Sequence, residues 1–217
     1  MTRPEPGASA TASRLVSLGH EPVLAPCLEI VPRPVHLPEN VGALIVTSGQ
    51  AIPPLPARLH GVPTFCVGDA TANRARAAGF CRVESAGGDA GDLFRLVCAR
   101  RLPGTHVMAV GERQGLALAR QLHEAGISVL RRKVYAARPL RVLPADIAAA
   151  LAAEKLQAAL FYSAETARAF VRLRPRNTAS ITAYALSPVV ASGLDGLPWA
   201  AIRVAVAPTE ADLMALL

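Results

Sequence analysis

The chain has 217 residues, 52% of them hydrophobic and 18% charged, which is enough apolar material for one large domain or two small ones around buried cores. Lysine and arginine number 23 against 16 aspartates and glutamates, a formal net charge of +7, so the surface field favours anionic partners. Aromatic residues make up only 4% and no basic helix stands out, which speaks against nucleic acid and leaves a polyanionic small molecule as a partner that fits.

The first residues, MTRPEPGASATASR, place an acid and prolines where a signal peptide needs an apolar run, so the expected compartment is the cytoplasm. A helix is predicted over 8–18, closed by Gly19, then a strand over 22–25. LEIVPRP, residues 28–34, contains proline and reads as extended. Strands at 43–46, 64–67, 83–85 and 106–110 then alternate with helices at 70–78, 91–100 and 114–124. A strand at 128–131 leads into a second extended stretch, VYAARPL, residues 134–140. The last third carries helices at 144–154, 164–173, 189–194 and 209–217 around strands at 156–162, 181–185 and 203–206. Short apolar runs alternating with helical periods indicate an α/β fold on parallel sheets. No run approaches the roughly 18 apolar residues of a membrane helix.

Laid against itself, the chain shows a weak repeat. ALIVTSGQAI resembles AALFYSAETA, each a strand ending in hydroxyl residues and entering a helix. TFCVGDATANRARAAG resembles TAYALSPVVASGL, and ESAGGDAGDLFRLV resembles VAVAPTEADLMALL. The N-terminal segment through LAPCLEI resembles VGERQGLALARQLHEAGISVLRRKVYAA. The copy that partners the middle of the chain is thus built from both ends. This order predicts two similar parallel-sheet α/β domains, one of residues 1–30 plus 140–217 and one of residues 35–133 inserted into it. The linkers, 31–34 and 134–139, would form a two-stranded ladder. A single nine-stranded sheet is the alternative.

Cys27, Cys66, Cys81 and Cys98 form no CxxC pair and have no histidine at zinc-ligand spacing, so they read as reduced thiols. The five histidines are dispersed, mostly beside glycine or proline, and no metal is expected. No GxGxxG, GxxxxGK[ST] or GxSxG motif opens a strand–helix unit. Chemistry in such a fold belongs at the carboxyl ends of the strands. Those ends are rich in hydroxyls and glycine: Ser48, Thr71, Gly87, Gly88, Ser163, Ser187 and Thr209. Each turn can hold a carboxylate with backbone N–H groups and one hydroxyl, although taken singly these are also ordinary capping residues.

In this order, TRPEPGA, LGHEPVLAPCLEIVP, LIVTSGQA, VGDATANRARAAGF, ESAGGDAGDL, VYAARPL, LFYSAETARAF and VAVAPTEADLMALL resemble the uroporphyrinogen-III synthase family over nearly the whole chain. The resemblance implies an active site between two domains and a cofactor-free lyase. Its substrate would be hydroxymethylbilane, a linear tetrapyrrole with eight carboxylates, closed with inversion of its last ring and loss of water. Tyr135 matches the family's linker tyrosine, whose neutral phenol, with an unperturbed pKa of about 10, would help the hydroxyl depart. Arg3, Ser48, Thr71, Gly87, Gly88, Ser163, Ser187 and Thr209 would hold carboxylates. Gln50 and Val190 stand where some relatives carry arginine and threonine. The expected assembly is a monomer with no nucleic-acid or membrane partner. The alternative reading is a catalytically silent two-domain protein that binds an anionic ligand.

Overall fold

The computed structural model describes residues 1–5 and 7–217. Among these residues nine strands and eight α-helices follow one another: α1 (Gly7–Ser17), β1 (Leu28–Pro32), β2 (Ala43–Val46), β3 (Thr64–Cys66), α2 (Asp69–Ala77), β4 (Val83–Ser85), α3 (Ala90–Arg100), β5 (His106–Gly111), α4 (Leu116–Glu124), β6 (Val129–Pro139), α5 (Ala145–Ala152), β7 (Ala158–Phe161), α6 (Ala164–Arg172), β8 (Thr182–Ala185), α7 (Pro188–Ala191), β9 (Ala201–Val204) and α8 (Glu210–Met214). They form a six-stranded sheet in the order β1-β6-β5-β2-β3-β4 and a three-stranded sheet in the order β7-β8-β9. From β6 to β4, and throughout the smaller sheet, neighbouring strands are parallel. This is the α/β class with parallel sheets that the sequence predicts.

The chain divides into two compact units, one of Met1–Glu29 with Arg138–Leu217 and one of Ile30–Ala137. The chain passes between them within β1 and within β6. Bonds join Cys27 to Leu140 and Arg33 to Val134, so the partner number falls as the chain advances along β1, and β1 and β6 are antiparallel.

In the unit of Ile30–Ala137 the sheet is apolar on both faces, as the near-continuous apolar runs of buried parallel strands require. Leu44, Val46, Val107 and Ala109 face one layer with Ile52, Leu59, Ala72 and Phe80. Ala43, Ile45, Met108 and Val110 face the other with Leu93, Val97, Leu118 and Leu122. The alternation along β2 and β5 is the period-2 pleat. Burying each such aliphatic side chain contributes about 1.5–3 kcal/mol.

The other unit repeats the pattern at smaller scale. Leu160 and Tyr184 pack with Ala8, Leu15 and Leu213. Phe161, next along β7, turns to the opposite face against Phe170 and Trp199, with ring centroids 5.4 and 5.8 Å away. Residues 22–25, expected as a strand, carry no regular strand assignment. They nevertheless pair with the N-terminus in parallel sense, Met1 N–H to Val23 O and Ala25 N–H to Met1 O.

Two further differences have local causes. After β2 the repeat predicts entry into a helix, but the chain makes only two 3-10 turns, Gly49–Ala51 and Ala57–Leu59, because Pro53, Pro54 and Pro56 lack N–H groups and clash with a preceding helical turn. The strand predicted over 128–131 and the extended stretch predicted from 134 are one strand that runs to Pro139, joined through Arg132 and Lys133, whose charges mask the apolar pattern.

Candidate active site

The strand ends are shaped by capping. Ser48 accepts a bond from Gln50 N–H at 3.3 Å, Ser163 from Thr166 N–H at 3.2 Å, Ser187 from Val190 N–H at 3.4 Å and Thr209 from Asp212 N–H at 3.1 Å. Each hydroxyl therefore satisfies one of the orphan donors of the turn it opens. A serine accepting in this way keeps its own O–H free to reach outward, which suits Ser48 and Ser187. The Ser163 hydroxyl is shared with that of Thr166, 2.8 Å away. Thr209 is the least suited of the four, because its hydroxyl donates to the Asp212 carboxylate, and that charge repels an incoming anion.

In the unit of Ile30–Ala137, Thr71 sits in the first turn of α2, 8% exposed. Gly87 and Gly88 lead into α3. Gly87 adopts φ +71°, a left-handed conformation that favours glycine, and its N–H donates to Ser85 Oγ at 3.1 Å. The Gly88 N–H is taken by Val67 O at 3.1 Å. The α3 N-terminus also has its own carboxylates: Asp89 accepts from Gly91 and Asp92 N–H, and Asp92 accepts from Asp89 N–H at 2.9 Å. That last bond, followed by the Arg95 guanidinium, holds the Asp92 carboxyl below its ordinary pKa. Much of the anion-binding capacity of this loop is thus already used by Asp89 and Asp92.

Tyr135 lies on β6, only 3% exposed, within the apolar layer of Leu44 and Val107. Its hydroxyl donates to Gln114 Oε1 at 2.9 Å. Gly111, at the end of β5 and paired with Tyr135, makes room for the ring: a Cβ there would lie 2.9 Å from it. Of the residues that the sequence singles out, Tyr135, Ser48, Thr71, Gly87 and Gly88 lie in this unit. Gln114 has no motif of its own and enters the candidate site only through its bond to Tyr135.

In the other unit, Arg3, Ser163, Ser187 and Thr209 lie at the carboxyl end of the small sheet. Arg3 stacks on the Tyr162 ring, its guanidinium carbon 4.4 Å from the centroid, and donates to Thr11 Oγ1 at 3.2 Å and to Glu210 Oε1 at 3.4 Å. The sequence does not single out Tyr162 or Glu210, the first because it reads as the apolar end of a strand. A cavity of about 630 Å³ in this unit opens at the other end of the sheet, beside His20, Val23 and Gln157, away from these residues.

Among the described residues no group of three His, Cys, Asp or Glu side chains could hold a metal ion, and no helix is long and apolar enough to cross a membrane.

The family model of Uroporphyrinogen-III synthase HemD matches residues 9–215. The chain belongs to the uroporphyrinogen-III synthase family. Solved structures of the family agree with the fold. The crystal structure of uroporphyrinogen-III synthetase from Helicobacter pylori is 20% identical, covering 89% of this chain and 90% of that one, with a TM-score of 0.66. A mutant uroporphyrinogen III synthase from the extreme thermophile Thermus thermophilus is 19% identical over 96% of this chain and 93% of its own, with a TM-score of 0.50. No curated protein matches the chain. As a member of this family the protein is assigned to the enzymes of tetrapyrrole biosynthesis.

Proposed function

We propose that the protein closes hydroxymethylbilane to uroporphyrinogen III, inverting the last pyrrole and releasing water, without a cofactor. The observation that carries this reading is the family match over residues 9–215 of 217. The strand ends add physical support: both units present capped helix starts, free serine O–H groups and, at Arg3, a guanidinium, which together suit a ligand with eight carboxylates.

The substrate also closes without the enzyme, to the symmetric isomer, so the protein's task is to decide which carbon attacks. Orientation therefore carries more of the catalysis than acid–base strength. Carboxylates held by Ser48 and Thr71 in one unit, and by Arg3, Ser163 and Ser187 in the other, would fix the ends of the chain. Gly87, Gly88 and Thr209 belong to the same reading, but compete with the carboxylates of Asp92 and Asp212. Tyr135 would turn its one phenol proton from Gln114 Oε1 to the departing hydroxyl, Gln114 holding the hydroxyl in place until the substrate arrives. We further infer that the two compact units are functional domains, that the protein acts as a monomer, and that it works in the cytoplasm.

The test is to incubate the purified protein with hydroxymethylbilane and separate the isomers. Mainly type III product, unchanged by a metal chelator, is expected. Type I product alone, at the rate seen in buffer, would refute the proposal, and retained binding would then favour a silent anion-binding relative.

A further inference from the structure

The functional reading uses Arg3 alone in its corner of the small sheet, yet that side chain sits in a built cluster. Tyr162 follows β7, Glu210 opens α8, and Thr11 comes from α1, so three elements meet at the ligand-facing end of the strands. The Arg3 head lies on the Tyr162 ring, at 4.4 Å. Beside it is Gly7, where a Cβ would come within 2.5 Å of the guanidinium carbon, so any larger residue would push the head away. Ring and glycine together hold the guanidinium in one place.

Its hydrogen bonds are nevertheless weak. Arg3 reaches Glu210 at 3.4 Å and Thr11 at 3.2 Å, at or beyond the long end of the N–H···O range. Glu210 is held more firmly by others: the Thr11 hydroxyl donates to one carboxylate oxygen and Arg14 to the other, at 2.9 Å. Two guanidiniums thus face one carboxylate. The Tyr162 hydroxyl is shut off from solvent and makes no aligned hydrogen bond. It lies near enough to Thr11 and Glu210 for both to influence it, while burial, the largest cause, raises its pKa to about 12. The phenol therefore stays protonated, with Thr11 and Glu210 as its polar neighbours. The Arg3 and Glu210 side chains are each about one-third exposed, at 32% and 31%, so a solute can reach them.

We infer that Arg3, Thr11 and Tyr162 form a preorganised carboxylate site, and that Glu210 is its resident carboxylate, displaced from Arg3 when a carboxylate of the substrate enters. The inference rests on the reading of the substrate as a polycarboxylate tetrapyrrole. The entering carboxylate takes the guanidinium edge, and the Tyr162 phenol donates to it once Glu210 has withdrawn. Glu210 keeps Arg14, so its charge is not left unpaired. Glu210 is then a residue that sets affinity: it lowers the fraction of molecules whose Arg3 is free, and apparent affinity falls by the same factor.

The test compares the full-length protein with Glu210→Gln, Glu210→Ala and Gly7→Ala. Two quantities are read: KM and kcat with hydroxymethylbilane, and direct titration with a non-reacting monopyrrole bearing one acetate and one propionate arm. If Glu210 occupies Arg3 about nine-tenths of the time, both Glu210 variants bind the probe about tenfold tighter. KM falls in parallel and kcat changes less than about twofold, a split that a merely structural tie would not produce. Gly7→Ala, which displaces the Arg3 head, weakens probe binding and raises KM. Unchanged or weaker probe binding in folded Glu210→Gln, with a lower Tm, would overturn the inference and leave Glu210 as a tie between α1 and α8. Unaltered probe binding in Gly7→Ala would overturn it as well. Because the probe needs no turnover, wild-type protein that yields only type I isomer would count against the enzymatic reading while the titration still decides the site.

Discussion

The Tyr135 hydroxyl donates to the side-chain oxygen of Gln114 at 2.9 Å, which joins the middle of β6 to the turn that follows β5. If this phenol assists departure of the substrate hydroxyl, Tyr135→Phe lowers kcat by more than it raises KM, because the group acts on the leaving oxygen and not on the carboxylates. The same change leaves Gln114 without that donor and costs about 1 kcal/mol of stability. Gln114→Met keeps the volume and the phenol while removing the acceptor, so its kcat falls less than that of Tyr135→Phe. Steady-state kinetics and thermal unfolding of both variants check this. Full turnover in Tyr135→Phe would reduce its role to packing.

Thr71 gives the opposite split. Its side chain offers one proposed hydroxyl contact beside backbone donors that remain after substitution. Thr71→Val is therefore expected to weaken substrate binding by about 0.5–1.5 kcal/mol, the net worth of one hydrogen bond. KM would rise by about two- to thirteenfold with kcat nearly constant. A fall in kcat with unchanged KM would remove Thr71 from the set of carboxylate contacts.

The strands were legible wherever burial on both faces makes a continuous apolar run, as in Ala43–Val46 and His106–Gly111. Helix ends were legible because they use glycine at positive φ, at Gly19 and Gly126, or a capping hydroxyl such as Ser163. The 3-10 turns after β2 were hidden by a repeat that overrode local proline chemistry. β6 reads in the sequence as two extended pieces, 128–131 and 134–140, and the pairing of Arg132 and Lys133 with β5 joins them despite their charge. The Arg3 cluster is the least legible part. Thr11 and Arg14 lie almost 200 residues from Glu210 in sequence, and no local pattern announces contacts that only the packing of α1 against α8 creates.

The thiols differ in reactivity for a physical reason. Burial pushes both Cys27 and Cys66 up to about pKa 12, and the thiolate is the reactive form. Cys81 is exposed. Thiol labelling of the native protein near pH 8 is expected to modify Cys81 first and to spare Cys27 and Cys66 until denaturant is added. Rapid labelling of Cys66 in the native state would show that the β3 layer opens far more readily than its complete burial implies.

His106 should make stability fall on acidification. Its ring is 1% exposed at the start of β5, with Nδ1 3.3 Å from Gly104 O and Nε2 unpartnered. The neutral ring donates through Nδ1 and leaves Nε2 without an aligned partner, whereas a protonated ring would bury a charge that only the Gly104 and Ser128 backbone groups stabilise. Burial accordingly lowers the pKa below 6.5, outweighing the opposing contributions of Gly104 and Ser128. A lowered folded-state value means that the unfolded chain binds more protons, so stability increases with pH. The contribution is complete above about pH 6.5 and declines as pH falls through the unfolded value toward the folded one, with a slope of at most about 1.4 kcal/mol per pH unit. His106→Leu removes the titrating group, and denaturant unfolding between pH 7.5 and about pH 5 is expected to show a shallower acid decline than in wild type. The hydrogen bond to Gly104 is lost at every pH, so the variant's stability at pH 7.5 reports that loss, and only the difference in slope reports the proton. Identical slopes would mean that the ring accepts its proton without cost, through a relaxation that gives Nε2 a partner.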